Sequence, residues 1–359
     1  MIPIARPQLG VEEELAVLEV MRSGALAQGR RVQAFEQAFA EVVGARYAIA
    51  TSNGTTALYL ALVAHGIGPG DEVITSPLTF IATANAIAQT GARPVFADVD
   101  NSLNLDPLAA AALINERTKG IMPVHLHGNP CDVEAFVALA EERGLALIQD
   151  ACQAVGATIA GKPLGVFGTA TYSFYATKNI TTGEGGMVVT NDPAVAHTCA
   201  SLRHQAYSSE PYVHDAVGYN YRMTEMQAAI GVVQLARLEA ITEHRRNNAR
   251  YFDEHIDSSS FTRPRIACER RHVYHQYTLR VTSGGATRRD GVRNALETAG
   301  IGTGVYYPVP VHRQPAYRGD VNPPCPEAEA AAAEMFSIPV HPGVDDADRA
   351  AIAEAVNGL

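Results

Sequence analysis

Apolar positions along the chain change their period, and the changes mark out its elements. Helical spacing runs over Val11 to Ser23 and again over Val32 to Val43, with Gly24 and Gly44 as stops. From Ala45 to about Met187, short apolar runs alternate with helical patterns. The runs predict strands at 47–50, 72–75, 94–97, 120–125, 145–149, 169–174 and 187–190. Strand alternating with helix implies a mostly parallel sheet covered on both faces. Gly218 to Glu225 leads into one long helix reaching about His255, with Thr224 as its N-cap. Beyond about residue 256 the pattern shifts to a strand at Val273–Val281, a helix at Arg288–Ala299 and helices near 327–335 and 346–357. The fold class expected is therefore α/β, with a large domain over 1–240, built on a seven-stranded sheet, and a smaller α/β domain over 241–359.

Charge narrows the function. The 359 residues carry a net charge of −10 and no basic run of the kind that marks nucleic-acid or anionic-membrane partners. The opening residues lack the apolar core of a signal peptide, and no apolar run is long enough to span a bilayer. The five cysteines are scattered without a C-x-x-C pair, which argues against structural zinc and suits a reducing cytoplasm. His125 and His127 follow a strand, but no third ligand has suitable spacing, so no metal is expected.

Three polar positions stand out at element ends. Lys178 lies in the glycine-rich turn between the strands ending at Phe174 and starting at Met187. A lysine there is either a solvated loop residue or an amine with a covalent task. Asp150 ends the apolar run 145–149, where α/β folds place site chemistry; the alternative is a cap for a helix starting near Ala151. Thr51-Ser52-Asn53-Gly54-Thr55-Thr56 opens an apolar helix, and such a helix start can cradle a phosphate. Anion cradle, strand-end carboxylate and loop lysine together are the toolkit for pyridoxal 5'-phosphate (PLP): phosphate on the helix start, carboxylate on the pyridinium nitrogen, lysine as Schiff base.

Seven segments carry a family resemblance. They are GRRVQAFEQAF (29–39), SNGTTALYLAL (52–62), GPGDEVITSPLTFIATA (68–84), DACQAVG (150–156), the stretch 173–186, GYNYRMTEMQAAIG (218–231) and YYPVPVH (306–312). The chain resembles the DegT/StrS-type sugar aminotransferases, PLP-dependent transferases of fold type I. The resemblance implies that Lys178 bonds the cofactor and Asp150 pairs with its ring nitrogen. It places Gln153 near the phenolic oxygen, Phe80 against the ring, and Ser173, Gly54 and Thr55 on the phosphate. Asn220 would reach the phosphate of a neighbouring subunit, making a homodimer the functional minimum. Gln28, His204, Tyr307 and His312 fall in segments that the family sets around the substrate; on the residues alone, 24–31 reads equally as a connector and 306–312 as a rigid proline turn.

The activity implied is transfer of an amino group from glutamate to a nucleotide-linked keto sugar in a cytoplasmic, polysaccharide-forming context. The 79–87 segment resembles members acting on a 4-keto-6-deoxy sugar; a 3-keto sugar or a keto-cyclitol are the alternatives. Related sugar dehydratases carry histidine in place of the lysine, which Lys178 argues against. A non-enzymatic regulator would not need lysine, aspartate and cradle together. Two departures stand out: His127 where the family often has tyrosine, and Gln205 where it usually has glycine.

Overall fold

The computed structural model describes residues 1–210, 212–318 and 323–359. Two helices, α1 (Val11–Ser23) and α2 (Arg30–Val43), precede β1 (Tyr47–Thr51) and α3 (Gly54–Ala64). There follow β2 (Glu72–Thr75), α4 (Ala82–Gln89), β3 (Arg93–Phe96), α5 (Pro107–Ala111), β4 (Thr118–Met122), α6 (Val133–Arg143) and β5 (Ala146–Asp150). Short strands β6 (Thr158–Ile159) and β7 (Lys162–Pro163) lead to β8 (Thr169–Ser173), β9 (Gly186–Thr190), α7 (Pro193–Arg203), α8 (Glu225–Ala236) and α9 (Leu238–His255). The last part holds β10 (Phe261–Thr262), β11 (Arg270–Arg271), β12 (Tyr277–Val281), α10 (Gly285–Thr298), α11 (Pro326–Glu334), β13 (Met335–Ile338) and α12 (Asp346–Asn357).

The seven-stranded sheet runs β1-β9-β8-β5-β4-β2-β3. All neighbours are parallel except β9, which is antiparallel to both β1 and β8. Both faces are buried, as the strand alternation requires. Met187 and Val189 enter a core with Phe35, Phe39, Tyr172 and Phe136, under α2 and α6. Val188, between them, joins Ile148, Leu58 and Leu62 on the face covered by α3 and α7. A second sheet, β10-β12-β13, is antiparallel and packs its own core of Phe252, Leu279, Phe336 and Ile352. The first residues join that unit: Ile2 bridges Ile301, Gly302 N donates to Ile2 O at 2.8 Å, and His341 Nε2 bonds Pro3 O at 2.9 Å.

Four expectations are corrected. The long helix to His255 is two helices, because the chain turns at Arg237 (φ −99°, ψ −1°), whose guanidinium binds the buried Glu13 at 2.8 Å. On either side, α8 packs on α1 and α2 whereas α9 packs on α12. The strand expected from Val273 begins only at Tyr277, since Val273 N and Gln276 N donate to Gly128 O and His127 O instead of to a neighbouring strand. The strand expected over 120–125 stops at Met122, with a lone bridge from Val124 to Asp150. The C-terminal unit also contains β13, a strand directly after α11 that the helical reading near 327–335 did not include.

Glu225 shows how distant segments meet. Gly29 precedes α2 and has no side chain to cap it. The buried carboxylate of Glu225, at the start of α8, takes over: Oε1 accepts from Gly29 N (2.8 Å) and Val32 N (2.9 Å), and Oε2 from Arg31 N (2.9 Å).

Candidate active site

Lys178 sits where β8 breaks off before β9. The turn is tightly knit: Lys178 N donates to Tyr175 O, Thr181 Oγ1 and Thr182 N both donate to Phe174 O, and Thr182 Oγ1 donates to Glu184 O at 2.6 Å. Asn179 Nδ2 ties the turn to Val273 O at 2.9 Å. Among the described residues, no side chain forms an ion pair or hydrogen bond with the Lys178 amine. Desolvation lowers its pKa below the usual lysine range, opposed by the nearby Cys152 and Asp150. The chain therefore holds an amine with an enlarged neutral, nucleophilic fraction.

Asp150 ends β5 and is buried. No helix begins after it. Its Oδ1 accepts from Cys152 N at 3.1 Å, a local turn, and its Oδ2 accepts from Thr83 Oγ1 at 2.7 Å. Thr79 Oγ1 stands 2.8 Å from Thr83 Oγ1 and supplies the next link. All these donors are neutral, and no described cation pairs with the carboxylate. A buried charge satisfied only by neutral donors has room for a cationic hydrogen-bond partner. A protonated pyridine nitrogen has that character.

The start of α3 closes the third side. Asn53 caps it, with Oδ1 accepting from Thr56 N at 2.9 Å, so the amides of Gly54 and Thr55 are first-turn donors with no intrahelical acceptor. A Cβ on Gly54 would stand 2.8 Å from Ser173 Cβ and 3.2 Å from Cys152 Sγ. One on Gly186 would run into Asn53 O. Helix start, end of β8 and the turn after Asp150 thus converge on one spot that side chains would fill. The cradle, the carboxylate without a counter-ion and the unpaired amine fit PLP.

Gln153 and Tyr307 lie at the same place. Gln153 Oε1 accepts from His127 N at 2.8 Å, and the Tyr307 phenol lies near Gln153. Burial pushes that phenol up, as does the neighbouring Asp150 charge. The Tyr307 ring lies 5.8 Å from Phe80, which is 54 % exposed. Sequence reasoning missed Thr83 and His275. The latter is buried with Nδ1 unpartnered, and burial together with the Lys178 charge holds its pKa well below the usual histidine value. No periodic signal announces either residue.

Other expected residues stand elsewhere. His312 is buried against Glu329 (3.1 Å) and Phe96, within the core under α11. Its Nε2 is engaged by Glu329, and its Nδ1 has no hydrogen-bond partner among the described residues. Gln28 lines a groove between α1 and α2, its Oε1 without a partner. His204 and Asn220 pair through a backbone bridge, and Arg222 donates to His204 Nδ1 at 2.8 Å. Gln205 and the following Ala206 have φ of +61° and +50°, a backbone that glycine adopts without strain. No described hydrogen bond joins Gln28, His204 or Asn220 to Lys178. Among the described residues no group of three His, Cys, Asp or Glu could hold a metal, and no helix is long and apolar enough to cross a membrane.

Comparison with known proteins gives the same picture. The profile of the DegT/DnrJ/EryC1/StrS aminotransferase family matches residues 7–357. GDP-perosamine synthase of Caulobacter vibrioides is 42% identical over 353 residues, 97% of this chain and 95% of that one. A UDP-N-acetyl-3-dehydro-alpha-D-glucosamine 3-aminotransferase of Acidithiobacillus ferrooxidans is 38% identical, over 94% of this chain and 91% of its own. The solved structure of S. venezuelae DesV in complex with a ketimine intermediate superposes with a TM-score of 0.92 at 37% identity, over 97% of this chain and 94% of that one. The chain belongs to the DegT/DnrJ/EryC1/StrS aminotransferase family, a family of PLP-dependent sugar aminotransferases.

Proposed function

We propose that this aminotransferase moves an amino group from glutamate to a nucleotide-linked keto sugar, with a 4-keto-6-deoxy sugar as acceptor. The observation that carries the reading is the meeting of Lys178, without an ion-pair partner, and Asp150, without a counter-ion, at the start of α3. Gly54 and Thr55 amides with the Ser173 hydroxyl would hold the phosphate, and Asp150 would receive the ring N–H. Lys178 is the covalent anchor. PLP, when bound, supplies an electron sink for the charge left on the donor α-carbon.

The residues do the rest. Asp150, whose two oxygens accept from Thr83 Oγ1 and Cys152 N, would be the partner of the ring nitrogen. The free Lys178 amine would take the proton from the donor α-carbon as general base and give it up again as general acid. Its lowered pKa suits both tasks. Phe80 and Tyr307 flank the entrance and exclude water from one side. Asn220, exposed on its hairpin, reaches the site of a second copy, so two chains complete each centre.

The test is a visible spectrum of the purified, PLP-loaded protein before and after glutamate, then with nucleotide-linked 4-keto-6-deoxy and 3-keto sugars and a keto-cyclitol. A cofactor band that shifts with glutamate and returns with one acceptor names the substrate. A band that answers glutamate but no nucleotide sugar overturns the acceptor class, and no band overturns the cofactor assignment.

A further inference from the structure

His127 stands where three parts of the molecule meet, and every polar group it has is used. It is buried, with a left-handed backbone (φ +58°, ψ 8°). Its N donates to Gln153 Oε1 at 2.8 Å and its O accepts from Gln276 N at 3.3 Å. Nε2 lies 2.9 Å from Tyr306 O, a carbonyl that can only accept, so Nε2 carries the proton. Nδ1 is then an acceptor, and Thr278 Oγ1 donates to it at 3.1 Å. Thr278 in turn accepts from Ser337 Oγ at 2.9 Å, across the paired strands β12 and β13. Ser337 also holds Gly304 by two backbone bonds, of 2.7 and 3.1 Å. The segment 304–307 is therefore fixed at one end by β13 and at the other by one imidazole.

We propose that His127 is a positioning residue for the acceptor: its Nε2–H holds the Tyr306 carbonyl, and so sets Tyr307 over Gln153 at the mouth of the site. Its main chain and its side chain have separate tasks. The main-chain N orients Gln153, which a substitution leaves in place. The side chain orients Tyr307, which a substitution releases. This rests on the aminotransferase reading only for the identity of the acceptor.

Two substitutions separate the ends of the ring. In H127N the amide occupies the place of Nδ1 and keeps Thr278 but cannot reach Tyr306 O. In H127Q the amide extends to the place of Nε2 and keeps Tyr306 O. Asparagine is also at home in left-handed backbone, so H127N folds. The first readout needs neither cofactor nor turnover: hydrogen exchange of the amides of 304–309 in the protein without PLP. Exchange is expected to quicken about tenfold in H127N, the worth of one ordinary hydrogen bond, and to stay near wild type in H127Q. In the loaded enzyme, KM for the keto sugar is expected to rise about tenfold in H127N, with the glutamate half-reaction within about twofold, and H127Q retains most of the wild-type value.

Equal exchange in H127N and H127Q overturns the proposal, as does an equal loss in both half-reactions. If wild type aminates no nucleotide sugar, the acceptor assignment fails while the exchange data still decide whether His127 holds the segment.

Discussion

The hydroxyl of Thr83, at the start of α4, donates to the carboxylate of Asp150, at the end of β5, at 2.7 Å. With Cys152 N on the other oxygen, the bond fixes how the carboxylate is turned. Asp150→Asn should lower kcat by on the order of 10²-fold or more, since an amide cannot sustain the protonated ring nitrogen. Thr83→Val should cost about tenfold, the loss of one hydrogen bond to a charged group. Single-turnover rates with glutamate check both; an Asp150→Asn rate within threefold of wild type would remove Asp150 from the mechanism.

Lys178→Ala should abolish turnover and leave the fold intact, because the amine makes no ion pair or hydrogen bond among the described residues and leaves a desolvated site. Circular dichroism and melting should match wild type, while the cofactor's visible band changes. Transamination retained by this variant would sink the assignment of Lys178.

Gly54→Ala places a methyl group 2.8 Å from Ser173 Cβ. The end of β8 must shift, at a cost of about 1–3 kcal/mol in stability. Affinity for PLP should fall by at least about tenfold, because the first-turn amides move with the helix start. Titration with PLP followed by absorbance measures it; unchanged affinity would mean that the phosphate lies elsewhere.

Stability should fall as pH drops from 6.5 toward 4. Burial holds His125 and His127 at a pKa of about 4, and both histidines are neutral in their hydrogen bonds. In the unfolded chain they bind protons below about 6.5. Between those values the unfolded state binds more protons, so their contribution is complete above 6.5, shrinks through the window and is exhausted below 4. Each contributes on the order of a few kcal/mol. Urea unfolding at pH 7.5, 5.5 and 4.5 reads the slope, and a flat profile would contradict the burial argument.

Glu225→Ala removes a buried carboxylate that serves Gly29, Arg31 and Val32. Three amides lose their acceptor, and stability should drop by about 2–4 kcal/mol. Glu225→Gln, which keeps an acceptor but no charge, should lose about half as much. Denaturant midpoints for the two variants give the comparison; equal and small losses would show that water replaces the side chain.

The sheet was legible because its strands are buried on both sides. Met187, Val188 and Val189 face two different cores, so the run is apolar throughout and reads as a strand without ambiguity. The reversed direction of β9 leaves no such trace, nor does the turn at Arg237, whose side chain pairs with a carboxylate more than two hundred positions earlier. In the site, Lys178 and Asp150 could be singled out because each interrupts an apolar pattern at an element end. Thr83, His275 and the capping role of Glu225 could not. Each looks like an ordinary polar residue of its own segment; the partners of Thr83 and Glu225 lie in other segments, and His275 Nδ1 has none.

The bridge between Ile2 and Ile301 gives the chain an order in time. Ribosomes release residues 1–7 long before the segment around Ile301 and His341 that receives them exists. The large sheet can assemble in the interval, and the opening segment must wait unattached beside it. The second unit is then completed by recruiting residues made much earlier, so its closure waits for the segment that contains Ile301, and a nascent chain halted before Ile301 should carry an assembled large sheet with Ile2 still unpaired.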